Sequence, residues 1–302
     1  MAHIPVLLEA VLSLLPPAER MIDGTLGAGG HTQALLDAGA GCVLGLDVDP
    51  AALEIAHLRL AAYGDRARIV HASYADMTAV ASSLGWTSVG GILLDLGVSS
   101  MHLDMPERGF AFLRDGPLDM RFDPSGQRPT AAELVNTLDE DELAGLFFRY
   151  GEEPQGRKLA RAVVSGRPYE TTVQLAAAIE RAAPRRPGDK IHPATRVFQA
   201  LRIAVNDELR IIERALPPAI DLLEPGGRLA VISFHSLEDR LVKQAFKLAS
   251  TDCICPPKTP VCICGHRASV RLVTRKPVVA SDAEIAHNPR SRSAKLRVVE
   301  KL

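Results

Sequence analysis

The chain has 302 residues, 47% of them hydrophobic, enough for one large α/β domain with room for a smaller second unit. Charged residues make up 24%, an ordinary share that excludes global disorder. The formal net charge of −1 conceals an asymmetry, because residues 1–150 carry 9 Lys and Arg against 20 Asp and Glu, while residues 151–302 carry 26 against 16; a basic half points to a polyanion partner, or to halves that neutralise each other in the fold.

The opening stretch, Met1 to Leu15, is apolar but has no basic leader, carries Glu9 in its middle and lacks a small-residue cleavage site, so it does not read as a signal peptide. No run reaches the roughly 20 apolar residues of a membrane span. A cytoplasmic protein with no membrane partner is expected. Met21–Asp23 reads as a strand entering a Gly-rich turn, and Thr32–Ala38 as the helix after it. Cys42–Asp47 is the next strand, with Asp49 as N-cap and Pro50 as first residue of the following helix. Arg68–His71 and Gly91–Asp95 complete four apolar runs separated by helical patterns, the signature of a parallel sheet.

The strand rhythm then stops. Residues 105–205 lack strand signals and are rich in helical pattern, Arg and Pro, as expected of an inserted helical subdomain that binds substrate. Strands resume at Arg228–Ser233, after the turn Glu224-Pro225-Gly226-Gly227, and a helix starts at Ser236 with Ser236 and Asp239 as a capping box. Ser269–Thr274 and Lys295–Val299 are two further strands. The reading is an α/β fold with a sheet of about seven strands, built from residues 1–104 and 206–302 and interrupted once.

Asp23-Gly24-Thr25-Leu26-Gly27-Ala28-Gly29-Gly30-His31 joins a strand to a helix. Glycines there allow a tight turn and bring backbone N–H groups to a ligand. Asp47, at the end of the second strand, can accept both hydroxyls of a ribose. The site is therefore of adenosine type. A dinucleotide fingerprint needs a third glycine where Thr32 stands, which argues against a nicotinamide oxidoreductase. An acidic residue ahead of the glycines, Asp23-x-Thr25-x-Gly27-x-Gly29, fits a class I methyltransferase instead. Asp95, followed by Leu96-Gly97-Val98-Ser99-Ser100, ends the fourth strand, where reacting groups sit in open α/β sheets.

Longer motifs carry a resemblance. They are His3-Ile4-Pro5-Val6-Leu7-Leu8, Asp23–His31, Leu93–Ser100, Glu107-Arg108-Gly109-Phe110, Arg114–Arg121, His192-Pro193-Ala194-Thr195-Arg196, Ser233–Arg240 and Asn288–Ser293. Together, in this order, they resemble the bacterial 16S rRNA (cytosine-N4)-methyltransferase family, known as RsmH or MraW. The resemblance implies a Rossmann-like methyltransferase domain with a helical insertion and S-adenosyl-L-methionine as cofactor. It implies a substrate cytidine in the decoding region of 16S rRNA, within the small ribosomal subunit. Carried over residue by residue, it assigns cofactor contacts to Gly29, Gly30, His31, Asp47, Tyr74, Asp95 and His102. Tyr74 has the alternative of an amphipathic surface residue, and His102 that of a hydrogen-bonded loop histidine.

Many amine-methylating enzymes carry Asp/Asn-Pro-Pro-aromatic after the fourth strand, whereas this chain has Asp95-Leu96-Gly97-Val98. Asp95 is the first candidate to accept an N4 hydrogen and His235 the second. RNA contacts are expected on the stretch Arg157–Arg214, with 12 Lys and Arg against 6 Asp and Glu, and on Arg290, Arg292, Lys295 and Arg297. A helix through His192–Leu209 would place Thr195, Gln199, Arg202 and Asn206 on one polar stripe, either solvated or lining a substrate cleft, and Phe198, Leu201, Val205 and Leu209 on an apolar one. Cys253, Cys255, Cys262 and Cys264 form two C-x-C pairs with His266 and the stiffening pair Pro256-Pro257 nearby. Four thiolates suit tetrahedral zinc, but the spacing is not C-x-x-C, and free or oxidised thiols are the alternative; no metal is assigned from the sequence.

Overall fold

Four parallel strands form the first half of a sheet: β1 (Arg20–Asp23), β2 (Cys42–Asp47), β3 (Ala67–His71) and β4 (Val89–Asp95). The computed structural model describes residues 4–185, 188, 191–256, 259 and 261–302. His3 and Pro257 of the sequence motifs, and Arg186 and Lys190 of the basic stretch, lie outside these residues. Helices α1 (Leu8–Leu14), α2 (Gly30–Asp37), α3 (Pro50–Leu60) and α4 (Met77–Ser83) alternate with the strands. Asp49 caps α3, where Ala51 N–H donates to its carboxylate at 3.1 Å and Pro50 fills the first helical position.

The chain then runs through α5 (Ser100–Asp104), α6 (Ala131–Thr137), α7 (Glu140–Gly151), α8 (Gly156–Ser165), α9 (Thr172–Ala182) and α10 (Ala194–Asn206). After α11 (Glu208–Leu222), β5 (Leu223–Ser233) returns to the sheet, followed by α12 (Ser236–Ala249), β6 (Val270–Leu272), β7 (Val278–Val279), α13 (Asp282–His287) and β8 (Lys295–Lys301). The chain packs as two units, Met1–Gly97 with Leu209–Leu302, and Val98–Glu208.

In the first unit the strand order is β3-β2-β1-β4-β5-β8-β6, with β7 also pairing β8. β5 is parallel to β4, and β8 runs antiparallel between β5 and β6. The eighth strand, β7, is two residues long and had no signal in the sequence. Alternate residues feed opposite faces. Ile22, Leu44, Leu46, Ile92, Leu94, Leu229 and Val231 pack on one face, and Met21, Val43, Leu93, Ala230, Ile232, Leu296 and Val298 on the other. Glu224-Pro225-Gly226-Gly227 lies within β5, where its register on β4 shifts between Val89 and Gly91.

The capping box of α12 differs from the expected one. The cap is His235, not Ser236, and the reciprocating carboxylate is Glu238, which accepts from His235 N–H at 3.2 Å and Phe234 N–H at 2.8 Å. Asp239 is spent elsewhere, because Arg297 on β8 donates to it at 2.7 Å and Lys295 lies 3.4 Å away. Burial raises the Asp239 pKa, but Arg297 and Lys295 outweigh it and hold the carboxyl below its ordinary value.

The second unit closes a core of its own, with Leu118, Met120, Leu143, Phe147, Leu159, Val163, Phe198, Leu201 and Val205. α10 ends at Asn206, because Asp207 adopts a left-handed conformation with φ 55°, so Leu209 belongs to α11 instead. The polar stripe of α10 does not stand in solvent as a whole. Gln199 donates to the Tyr150 carbonyl at 3.0 Å, and Arg202 forms two hydrogen bonds with the buried Glu208 at 2.8 and 2.9 Å. Asn206, 4% exposed, accepts from Phe122 N–H at 2.8 Å and donates to the Met120 carbonyl at 2.8 Å. Only Thr195 is exposed.

Replacing Asn206 by Ala strands two buried backbone groups, at a cost of about 1–3 kcal/mol. Urea unfolding of N206A should show that loss, and a wild-type transition would mean that Met120 and Phe122 find other partners.

Candidate cofactor and active site

Asp23, Asp47 and Asp95 end β1, β2 and β4, so the topology alone delivers three carboxylates to one edge of the first unit's sheet. The Gly-rich turn ties them together. Thr25 N–H and Thr32 Oγ1–H donate to Asp23 at 3.2 and 2.8 Å. Thr25 Oγ1 accepts the Asp95 N–H at 2.6 Å. Gly27 N–H donates to Asp47 at 2.7 Å, and Asp49 N–H to its other oxygen at 2.9 Å.

Two glycines are fixed by geometry. Gly29 has φ 80°, a region that L side chains rarely adopt, and a Cβ there would lie 3.0 Å from Leu60 Cδ1. A Cβ on Gly30 would lie 2.7 Å from Pro5 Cγ. Their missing side chains therefore serve packing against Leu60 and Pro5, while the turn they permit opens the N-terminus of α2, a place where backbone N–H groups favour an anion.

His31, in the first turn of α2, is 7% exposed, and its Nε2 lies 3.6 Å from Asp95 Oδ2. Neither ring nitrogen has a hydrogen-bond partner, and neither does Asp95 Oδ1. Burial works against the imidazolium, but the carboxylates of Asp95 and Asp23 outweigh it and raise the His31 pKa above its ordinary value. Burial likewise pushes the Asp23 carboxyl up, against His31 and its hydrogen bonds from Thr32 and Thr25. The three groups form one interacting cluster.

Tyr74 opens a short 3₁₀ turn after β3 and is half-buried. Its Cβ lies 2.9 Å from where a Gly24 Cβ would stand, so the ring root borders the turn. His235 follows β5, and its Nε2 lies 3.2 Å from the buried Glu238 carboxylate. A Cβ on Gly97, two residues beyond Asp95, would lie 3.6 Å from Glu238 Oε1. Both candidate catalytic side chains thus sit at the carboxyl ends of adjacent strands.

His102 belongs to the second unit. It is buried, its Nδ1 accepts the Ser99 N–H at 3.1 Å, and its ring packs on Phe110 and Phe122 with centroids 4.7 and 5.1 Å away. The residues missed in the sequence are Thr25, Thr32 and Glu238. The hydroxyls two and nine positions after Asp23, and a Glu three after His235, were the available signals.

A parallel sheet with one antiparallel strand inserted beside β5, and a Gly-rich turn with three strand-end carboxylates at its carboxyl edge, mark a Rossmann-like class I methyltransferase using S-adenosylmethionine. The groups present are of the kind that cofactor needs: a strand-end carboxylate in Asp47, the helix N-terminus of α2, and buried polar atoms on His31 and Asp95 that lack hydrogen-bond partners.

The chain belongs to the MraW methylase family, whose sequence profile matches residues 1–302. It is 53% identical to the ribosomal RNA small subunit methyltransferase H of Thermomicrobium roseum, over 99% of this chain and 94% of that one. The protein of the same name from Oleidesulfovibrio alaskensis is 49% identical, over 100% and 95%. That from Dehalococcoides mccartyi is 50% identical, over 99% and 86%. Among solved structures, a putative rRNA methylase from Clostridium thermocellum superposes with TM-score 0.44 at 12% identity, covering 98% of this chain and 95% of that one; at that score the fold assignment rests on the strand order.

The charge cluster makes a titration prediction. With its folded pKa raised, His31 contributes stability that is present below about pH 6.5 and fades as pH rises through the folded pKa. NMR of the imidazole should place its midpoint above 6.5, and Asp95→Asn should lower it. An unchanged midpoint in D95N would remove Asp95 as the partner.

Proposed function

We propose that the protein transfers a methyl group from S-adenosylmethionine to the exocyclic N4 amine of a cytidine in the decoding region of 16S rRNA. The observation that carries this reading is the cluster of Asp23, His31 and Asp95 beside Asp47 at one sheet edge. The names of relatives about 50% identical along the whole chain support an rRNA of the small subunit as substrate. The N4 position rests on the resemblance of the sequence motifs.

In this reading the α2 N-terminus and the turn through Gly29, Gly30 and His31 hold the amino-acid end of the cofactor. Asp47 holds the ribose, and Tyr74 lies beside the adenine. His102 is assigned a cofactor contact by the resemblance alone. The cofactor supplies an electrophilic methyl group on a sulfonium. The N4 lone pair is delocalised into the cytosine ring, so the protein must orient the amine and accept one of its hydrogens. Orientation is the larger contribution, about 7–11 kcal/mol when reacting atoms are held in line. Asp95 Oδ1, buried and without a hydrogen-bond partner, is suited to accept the hydrogen. His235 is the second candidate, with Glu238 holding its ring. The target base is unstacked or already single-stranded.

RNA contacts fall to the second unit, the proposed substrate-binding part, where Arg157 and Lys158 on α8 are exposed. Arg202 is an internal partner of Glu208, while Arg161 with Glu140 and Arg196 with Glu153 are paired nearer the surface. Arg297 and Lys295 are likewise paired with Asp239, while Arg292 is exposed at that end and is the cation assigned to phosphates there. No helix among the described residues is long and apolar enough to cross a membrane. The proposed setting is the cytoplasm, with the small ribosomal subunit as partner.

The test is methyl transfer from labelled S-adenosylmethionine to small subunits lacking the modification, with nucleoside mass analysis. N4-methylcytidine is expected from the wild type and none from D95A. Asp47→Ala should weaken cofactor binding roughly 10–100-fold, the loss of charged hydrogen bonds. Wild-type turnover by D95A would sink the acceptor assignment; bound cofactor with no transfer to subunits or free RNA would favour a non-catalytic assembly role.

A further inference from the structure

The connection 250–269 between α12 and β6 contains no helix or strand among its described residues. Structureless connections longer than about 12–15 residues are uncommon in compact domains unless something holds them. Its base is held by hydrogen bonds. Ser269 N–H donates to the Ala249 carbonyl at 2.8 Å, Ala268 N–H to Asp252 at 3.3 Å, and His266 Nε2 lies 2.9 Å from the Leu248 carbonyl. Among the described residues its far end has no such bonds to the sheet. There Ile254, Val261 and Ile263 are 50%, 72% and 84% exposed, so no apolar core closes it either.

What the far end does have is four sulfurs. Cys253, Cys255, Cys262 and Cys264 place their Sγ atoms within 4.8 Å of one another. The Cys253–Cys262 and Cys262–Cys264 separations are 3.5 Å, Cys253–Cys264 is 3.9 Å and Cys255–Cys262 is 4.0 Å. A disulfide requires about 2.05 Å, and all four thiols are free. Four thiolates around one zinc at about 2.3 Å would stand about 3.8 Å apart, the edge of the corresponding tetrahedron. An iron–sulfur cluster would spread its cysteines over separate irons and hold them farther apart.

The backbone is arranged to match. Ile254 N–H donates to Cys264 Sγ and Ile263 N–H to Cys255 Sγ, each at 3.4 Å. Each C-x-C arm thus sends the amide between its own two cysteines to a sulfur of the other arm. Hydrogen bonds of this kind stabilise negative charge on sulfur and orient metal ligands. The arms cross-brace each other, so the spacing that looked unfavourable in the sequence delivers a closed four-sulfur set.

We propose that Cys253, Cys255, Cys262 and Cys264 bind one zinc ion, which closes the far end of the 250–269 connection. Four sulfur ligands leave no open position for water or substrate, so the site is structural. His266 is not a ligand; it anchors the base of the loop through Leu248.

The full-length protein, purified under reducing conditions without added chelator, is expected to contain one zinc per chain by elemental analysis. Metal-stripped protein should take up one cobalt(II) with the visible absorption bands of a tetrahedral all-thiolate site. Cys253→Ser and Cys264→Ser should each lose the zinc, while His266→Ala keeps it. Proteolysis within the loop should rise several-fold on zinc removal and fall again when zinc returns. Reduced wild-type protein that takes up neither zinc nor cobalt overturns the proposal. So does one iron in place of zinc in the purified protein, or a cobalt spectrum that changes in H266A. Because uptake is read on the wild type, the outcome does not depend on the variants folding.

Discussion

A carboxylate taken out of water costs several kcal/mol unless hydrogen bonds and an opposite charge repay it. Asp23 is 1% exposed, and its compensation comes from the turn that follows it: the Thr25 N–H, the Thr32 hydroxyl and the His31 ring. That requirement fixes the turn. Once Thr25 is placed, its hydroxyl takes the Asp95 N–H and ties β4 to β1. Gly27 N–H, two residues on, takes Asp47 and ties in β2. The three strand ends at the candidate site are therefore positioned by one chain of hydrogen bonds rooted in a buried carboxyl group. Hydrogen bonds of this kind hold groups in place before a ligand arrives, the condition under which oriented groups accelerate a reaction most.

The second unit obeys a different economy. Its core is closed by its own helices. The α10 stripe illustrates the difference between a face of a helix and a surface of a protein. Periodicity identified Gln199, Arg202 and Asn206 as one side correctly, but that side meets Tyr150, Glu208, Met120 and Phe122 rather than solvent. The same holds for charge. A count of Lys and Arg measures attraction to a polyanion only after the cations held by internal carboxylates are removed, and Arg202 and Arg297 are among those.

Elements whose cause is local were legible in the sequence. β2 matched residue for residue, and Asp49-Pro50 located the start of α3, because an N-cap and a proline act within one turn. The Gly-rich turn and the strand-end aspartates were legible for the same reason. What was not legible depended on partners distant in sequence. The two-residue β7 exists only because β8 pairs with it. Asp239 was lost to α12's cap because Arg297, 58 residues away, claims it. The end of α10 at Asp207 needs a left-handed residue where the sequence has neither glycine nor asparagine to announce it. The cysteine cluster was visible as composition, but the crossing of its two arms, which makes a four-sulfur set, was not.

Native proteins leave few buried polar atoms unpartnered, since each costs about 1–3 kcal/mol. Among the described residues of the first unit, such atoms lie at one edge of the sheet, on His31 and Asp95. They stand in the first turn of α2 and at the end of β4, whereas the same sheet's interior is apolar on both faces. A fold that can hydrogen-bond Asp23 twice within nine residues is not short of donors and acceptors. Its failure to satisfy Asp95 Oδ1 and the His31 ring is therefore local and bears on function. A ligand carrying matching polar groups recovers that cost on binding, and the recovered energy appears as stabilisation of the folded chain that grows with ligand concentration.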